Sequence, residues 1–316
     1  MPTPLRTRRR SAEPARVFAR LNLEMRGLAR RGPRPAAPRG RGGRPPRPAL
    51  TLARAAEAAE AAGSGNRGGT ACSVLEGLAL ERERVDLRGQ EDDHVVHLVR
   101  PASVDAVLDR YVAAGLLDGD PYWARLWPSA VAIAEELLQR PALVRGKTVW
   151  DVGCGLGLAG LAAALAGAAE VALLDKEEAA VALCSRAIAA NRELQGAEFA
   201  DALRAVVFDW NAPGAGAACE VLLLCDVLYE GCNVEPVAAL MGRVLKHGGV
   251  VVLADPPERN RANRLELLRR LEEGSDLVLE EQHTRAVRLE DKGHDVVLLL
   301  LRKTFSAGTV RVKPVA

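Results

Sequence analysis

Five apolar runs in this chain end on or beside an aspartate: Asp151, Asp175, Asp209, Asp226 and Asp255. An acid placed where a buried strand stops is well sited to meet a ligand. Asp151 opens the stretch Asp151-Val152-Gly153-Cys154-Gly155-Leu156-Gly157, after which an Ala/Leu-rich helical segment begins. Glycines there reach backbone angles closed to other residues and let a ligand lie against bare main chain. Asp175 follows about 20 residues later, where a doubly wound sheet presents a carboxylate to a ribose diol. Gly155-x-Gly157-x-x-Gly160 also satisfies the dinucleotide pattern, which alone is a weak signal. The carboxylate of Asp151 separates the readings: it repels an anionic pyrophosphate and attracts the ammonium of a methionine moiety. A purely structural glycine turn is the third reading.

The other acids suggest the rest of a site. Asp209-Trp210 can take an adenine amino group on the carboxylate and the base on the indole, or be a surface acid beside a core tryptophan. Asp226 and Tyr229 end the fourth run, three residues apart. Methyl transfer from a sulfonium to an amine needs a neutral nitrogen held in line, and lysine is charged near neutral pH. An acid and a phenol converging on the nitrogen orient it, accept its proton and stabilise the cationic product; the plain alternative is a capping acid beside a buried tyrosine. Asp255-Pro256-Pro257 reads as a turn bordering the acceptor pocket, with Arg259 as a contact. In Pro121-Tyr122-Trp123-Ala124-Arg125-Leu126-Trp127-Pro128, Trp127 is placed beside the cofactor and Tyr122 and Trp123 at the acceptor's entrance, or Trp123 and Trp127 are plugs against the core.

These residues need a frame. Apolar strand-like runs occur at 147–153, 170–175, 203–209, 220–226, 249–255, 277–285 and 295–302, and the first five alternate with helix-like stretches, as in a mainly parallel sheet covered on both faces. Pro128 suits the first turn of a helix running to Leu138. Asn233 reads as a cap for the stripe Val237, Leu240, Met241 and Val244, with Gly248 as its stop. The last two runs are joined by about nine residues, which requires an antiparallel hairpin. Upstream, Arg84–Leu87 and His94–Val99 alternate as a short hairpin, and Ser103 reads as the N-cap of a helix from Val104 to Leu117. The expected fold is α/β, a Rossmann-like doubly wound seven-stranded sheet with an antiparallel C-terminal hairpin, preceded by a disordered segment. The expected organisation is a leader at 1–70, a hairpin-and-helix extension at 73–120, a catalytic domain at 121–305 and a tail at 306–316.

Charge is divided unevenly. Residues 1–50 hold 14 arginines and two acids, whereas the rest carries 29 basic and 39 acidic residues, although the whole chain is only +2. The acidic body is not built to hold a polyanion, so no nucleic-acid partner is expected. The Arg/Pro/Gly leader cannot bury enough apolar surface to order itself, and its composition fits an organellar transit peptide, for chloroplast or mitochondrion, or else a basic tail on a cytoplasmic protein. No run approaches a membrane span. Six cysteines without a paired spacing read as small core fillers in a reducing compartment, and no metal is expected.

Taken together, Pro121-Tyr122-Trp123-Ala124-x-x-Trp127-Pro128-Ser129-Ala130, Asp151-x-Gly153-x-Gly155-x-Gly157, Asp209-Trp210, Asp226-Val227-Leu228-Tyr229 and Asp255-Pro256 resemble the motifs of the seven-β-strand (class I) protein-lysine methyltransferases, the Methyltransf_16-like group. Within it the likeness is nearest to the electron-transfer-flavoprotein β-subunit lysine methyltransferases and bacterial relatives, and it runs from about 95 to 300. The resemblance implies S-adenosyl-L-methionine (SAM) as donor, with Trp127, the glycine loop, Asp151, Asp175, Asp209 and Trp210 as cofactor contacts and Asp226 and Tyr229 as the catalytic pair. It implies a protein substrate presenting a lysine; separately, a monomer is expected. The rival readings are a small-molecule amine methyltransferase and a non-catalytic binding module. One departure is Asp255-Pro256-Pro257-Glu258, where relatives tend to carry Asp-Pro-Gly-Arg.

Overall fold

The computed structural model describes residues 74–116, 121–211 and 219–304; the leader, the tail and Cys72 lie outside the described residues. Its frame is a seven-stranded sheet, built from β3 (Thr148–Val152), β4 (Glu170–Asp175), β5 (Leu203–Val207), β6 (Cys219–Cys225), β7 (Leu245–Asp255), β8 (Leu277–Leu289) and β9 (Lys292–Lys303). The spatial order is β5-β4-β3-β6-β7-β9-β8. The first five pair in parallel, and β9 inserts antiparallel between β7 and β8. The order reverses between β3 and β6, which opens a crevice at the carboxyl ends of those two strands.

Because the central strands are covered on both faces, they are apolar at nearly every position. Alternation still divides them. Val149, Val221, Leu223, Val250 and Val252 join the core beneath α2 (Pro128–Gln139) and α3 (Leu158–Leu165). Trp150, Val152, Leu222, Leu224, Val251 and Leu253 join the opposite core, under α6 (Val234–Val244) and α7 (Arg261–Gly274). Asp151 shares the parity of Val149, so it rises on the α3 side.

A separate hairpin, β1 (Leu80–Leu87) and β2 (His94–Pro101), packs Val96 and Leu98 into the first core. It is fastened to α4 (Glu178–Gln195) by Asn191, which is fully buried and both accepts from the His97 main-chain N–H at 2.9 Å and donates to the His97 carbonyl at 2.6 Å. Helix α1 (Val104–Ala113) is capped by the Ser103 hydroxyl, which accepts from the Ala106 N–H at 3.2 Å.

Several expectations are corrected. Helix α1 ends at Ala113, not Leu117, because Gly115 turns left-handed with φ 70°. Gly248 does not stop α6: that helix ends at Val244, and Gly248 lies inside β7, where the pairing with β6 slips between Cys219 and Val221. Asn233 precedes α6, but its side chain donates to the Val227 carbonyl at 3.1 Å and caps nothing. The strands β8 and β9 are joined by Glu290 and Asp291 alone, both with positive φ (50° and 59°), a two-residue turn of the mirror-image type and not a nine-residue link. Described residues 208–211 after β5 hold no helix, unlike the other parallel crossovers; the short α5 (Ala197–Asp201) precedes that strand. Cys154, Cys184 and Cys219 are buried as expected, but Cys232 is exposed. Among the described residues no helix is long and apolar enough to cross a membrane, and no group of three or more His, Cys, Asp or Glu could hold a metal ion.

Candidate active site

The glycine turn follows β3 directly. Gly153, Gly155 and Gly157 have φ of 68°, 53° and 79°, a left-handed run that side-chain-bearing residues would strain to hold. The space is equally tight: a Cβ on Gly155 would stand 3.3 Å from the Trp123 carbonyl oxygen, and one on Gly160 would stand 2.1 Å from Leu173 Cδ2. Gly160 therefore serves the packing of α3 on β4. Its N–H donates to Asp151 Oδ2 at 2.9 Å, fixing the carboxylate against the first turn of α3. Asp151 is fully buried, and its Oδ1 has no hydrogen-bond partner. Burial first, with the nearby Asp175 charge adding to it, lifts its pKa to about 7, although the Gly160 hydrogen bond works the other way.

Asp175 ends β4 and ties the turn to the neighbouring strand. Its Oδ2 accepts from the Gly155 N–H at 2.9 Å and its Oδ1 from the Glu177 N–H at 3.0 Å. Trp210 is half-buried and lies over the turn, since a Cβ on Gly153 would meet its ring at 3.2 Å. Asp209 is exposed and accepts from the Asn211 N–H at 2.8 Å.

Across the crevice, Asp226 caps β6 in an unusual conformation for a side-chain-bearing residue, φ 54°, with its N–H donating to the Ala254 carbonyl at 2.8 Å. Its carboxylate is buried and doubly held. Asn260 Nδ2 donates to Oδ1 at 2.7 Å, and the Arg259 guanidinium donates to Oδ2. Asn260 Nδ2 also donates to Asp255 Oδ1 at 3.0 Å, so one amide bridges two strand-end carboxylates. Asp255 is fully buried; its Oδ2 accepts no hydrogen bond but is ion-paired with Arg264 Nη1 at 4.0 Å. Burial chiefly, helped by the Asp226 charge, raises its pKa to about 7. The Arg264 guanidinium donates to the Pro256 and Pro257 carbonyls at 3.1 and 2.9 Å, which fixes the turn carrying Arg259.

The segment 121–127 joins the two sides. Trp123 presents main chain to Gly155 and buries its ring, whose Nε1 donates to the Tyr111 hydroxyl at 3.0 Å; Tyr111 in turn donates to Glu177 Oε2 at 2.6 Å. Trp123 is thus a plug and not part of an entrance. Tyr122 makes edge contacts with Trp127 (6.2 Å between centroids) and with Tyr229 (6.1 Å). The Trp127 Nε1 donates to the Tyr122 carbonyl at 3.0 Å, and the guanidinium carbons of Arg259 and Arg125 lie 4.9 and 5.4 Å from its ring centroid. Asp226, Arg259, Trp127, Tyr122 and Tyr229 thereby form a continuous chain of contacts. Val227, next to Asp226, touches the glycine turn, since a Cβ on Gly153 would stand 3.1 Å from Val227 Cγ1.

The geometry thus gathers Asp151, Gly153, Gly155, Gly157, Asp175 and Trp210 around one turn, and Asp226, Tyr229 and Trp127 around an adjoining one. Asp209 stands at the margin. Asn260, the amide bridge, is missed by sequence reasoning: at the N-cap position of α7 it reads as a helix start, and nothing in its spacing points to Asp226, 34 residues earlier, or marks Asp255, five residues earlier, as a partner.

Residues 120–273 match the Methyltransf_16 family, described as lysine methyltransferase. Over 154 residues, 49% of this chain, it is 31% identical to the electron transfer flavoprotein beta subunit lysine methyltransferase of Xenopus laevis, covering 59% of that protein. Over 138 residues, 43% of this chain, it is 30% identical to the protein of the same name from Mus musculus, covering 51% of it. The chain thus matches between half and three fifths of the length of these curated relatives. Among solved structures, a geranyl diphosphate C-methyltransferase from Streptomyces coelicolor A3(2) aligns with a TM-score of 0.41 at 18% identity, over 55% of this chain and 78% of that one.

Proposed function

Because residues 120–273 match the lysine methyltransferase family, we propose that this protein is a SAM-dependent methyltransferase whose acceptor is a lysine side chain of another protein. The observation that carries the donor assignment is the buried Asp151 carboxylate, with one oxygen bound to the Gly160 N–H and the other unpartnered. A buried acceptor of that kind suits an ammonium and opposes a phosphate. The residues present therefore fit SAM, which when bound supplies an electrophilic methyl group on a sulfonium.

In this reading Asp151 takes the amino-acid ammonium, and the main chain of Gly153, Gly155 and Gly157 lies under the donor. Asp175 spends both oxygens on main-chain N–H groups, yet a carboxylate has further lone pairs for a ribose hydroxyl. Trp210 and Asp209 receive the adenine, and Trp127 borders the cofactor on its other side. Asp226 and Tyr229 hold the acceptor nitrogen, accept the proton it loses and stabilise the methylated ammonium. The names of the relatives support a protein substrate, and the acidic body argues against nucleic acid. We further read the leader as an organellar import signal and the enzyme as a monomer.

Incubating the protein with radiolabelled SAM and whole lysate, followed by mass spectrometry, tests the assignment. Label on protein lysine is expected; label confined to small amines would move the acceptor class, and no binding of SAM or S-adenosylhomocysteine would remove the donor. Fusing residues 1–70 to a fluorescent protein tests import.

A further inference from the structure

Asp226 is a charge that needs partners. Its side chain is 4% exposed, and a carboxylate so deep is stable as an anion only with donors on both oxygens. Asn260 serves one oxygen without charge. Arg259 serves the other and is the only cation ion-paired with this carboxylate among the described residues.

Arg259 is attached differently from the group it holds. Its side chain is 46% exposed, and it hangs from the Pro256–Asn260 turn, whose backbone Arg264 fixes. The turn is therefore held while the guanidinium can swing. Its head makes two contacts, a charge-assisted hydrogen bond to Asp226 and a cation–π contact with Trp127. Tyr122 links Trp127 to Tyr229 edge to face, so aromatic surface borders the position. A carboxylate beside aromatic rings is also what a lysine ammonium would seek.

We propose that Arg259 is a resident surrogate for the acceptor's cation, which an incoming amine must displace from Asp226, so that the residue sets selectivity for cationic acceptors. The inference rests on reading Asp226 as the acceptor-side carboxylate. Exchange of one cation for another leaves the buried charge paired throughout, so displacement by an ammonium is nearly even in energy. A neutral side chain would instead leave a buried anion short of a partner and is rejected. The cost to a true acceptor is an apparent affinity lowered by the fraction of time Arg259 occupies the position.

The test uses n-butylammonium as a lysine side-chain probe, titrated by tryptophan fluorescence and calorimetry into the full chain and into Arg259→Ala, Arg259→Gln and Arg259→Lys, with SAM affinity measured in parallel. Arg259→Gln keeps a hydrogen-bond donor without the charge and guards against a variant that fails to fold. The expected result is binding about 3- to 10-fold tighter in the Ala and Gln variants, a Lys variant within about 2-fold of the parent, and SAM affinity alike in all four. Equal or weaker butylammonium binding in both neutral variants would overturn the proposal, as would a SAM affinity that moves with the probe's. Because the probe needs no turnover, absence of methyl transfer would defeat the functional reading and leave the exchange still decided by the titration.

Discussion

The two sides of the crevice hold their carboxylates by different means. Around Asp151 and Asp175 the partners are main-chain N–H groups of Gly160, Gly155 and Glu177, all within a short stretch of strand, turn and helix. Around Asp226 they are side chains, Asn260 and Arg259, delivered from more than thirty residues away. Main-chain partners come with the turn and cannot be substituted away; side-chain partners can be replaced or displaced. The first arrangement suits a carboxylate whose surroundings stay fixed, the second one whose partners can exchange.

The comparison can be broken most severely at Asp226. Asn at this position keeps the shape and tolerates the positive φ, so Asp226→Asn is expected to lower methyl transfer about 100-fold or more while SAM affinity stays within about 2-fold; kinetics beside calorimetry would check the separation. A loss of SAM affinity of the same size would show that the two sides are not independent.

A control lies outside both sides. Glu136 in α2 is fully buried and accepts from Arg140 at 2.9 Å and from Arg285 of β8. Burial pushes its carboxyl up, but the arginine hydrogen bonds outweigh it and leave it below the usual range. Glu136→Ala should cost about 2 kcal/mol in denaturant unfolding, less than a fully buried pair because the Arg285 side chain is 17% exposed. Activity of the folded fraction should be unchanged.

The smallest effect sharpens the electrostatic contrast. Asp151 and Asp255 both have folded pKa values raised to about 7, so between the unfolded carboxylate range and pH 7 the folded state binds more protons than the unfolded one. Their contribution to stability is present at low pH and is lost as pH rises toward 7. Asp151→Asn should flatten part of that slope in melts recorded between pH 5 and pH 8.

The same contrast explains what could be read from residues alone. Asp151 and its glycines are legible because strand, turn and helix are consecutive and each glycine answers a local backbone demand. The parallel strands are legible because burial on both faces leaves continuous apolar runs. The β8–β9 turn is not, because Glu290 and Asp291 hold positive φ without the glycine or asparagine that usually advertises it. Asn260 is silent for another reason: its partners, Asp226 and Asp255, lie at the ends of adjacent strands, and only the sheet order brings them to one amide. Arg259 could be suggested as a contact, but its pairing with Asp226 and its place over Trp127 exist only in three dimensions.

The most direct test of the central assignment is calorimetric titration of SAM into the protein and into Asp151→Asn at pH 6, 7, 8 and 9. An ionised Asp151 holding an ammonium predicts affinity that rises as pH passes about 7 and falls once the ligand's amino group deprotonates near pH 8. The variant should bind about 10-fold more weakly and lack the rising limb. Equal affinity and an equal pH profile in the two proteins would contradict the account.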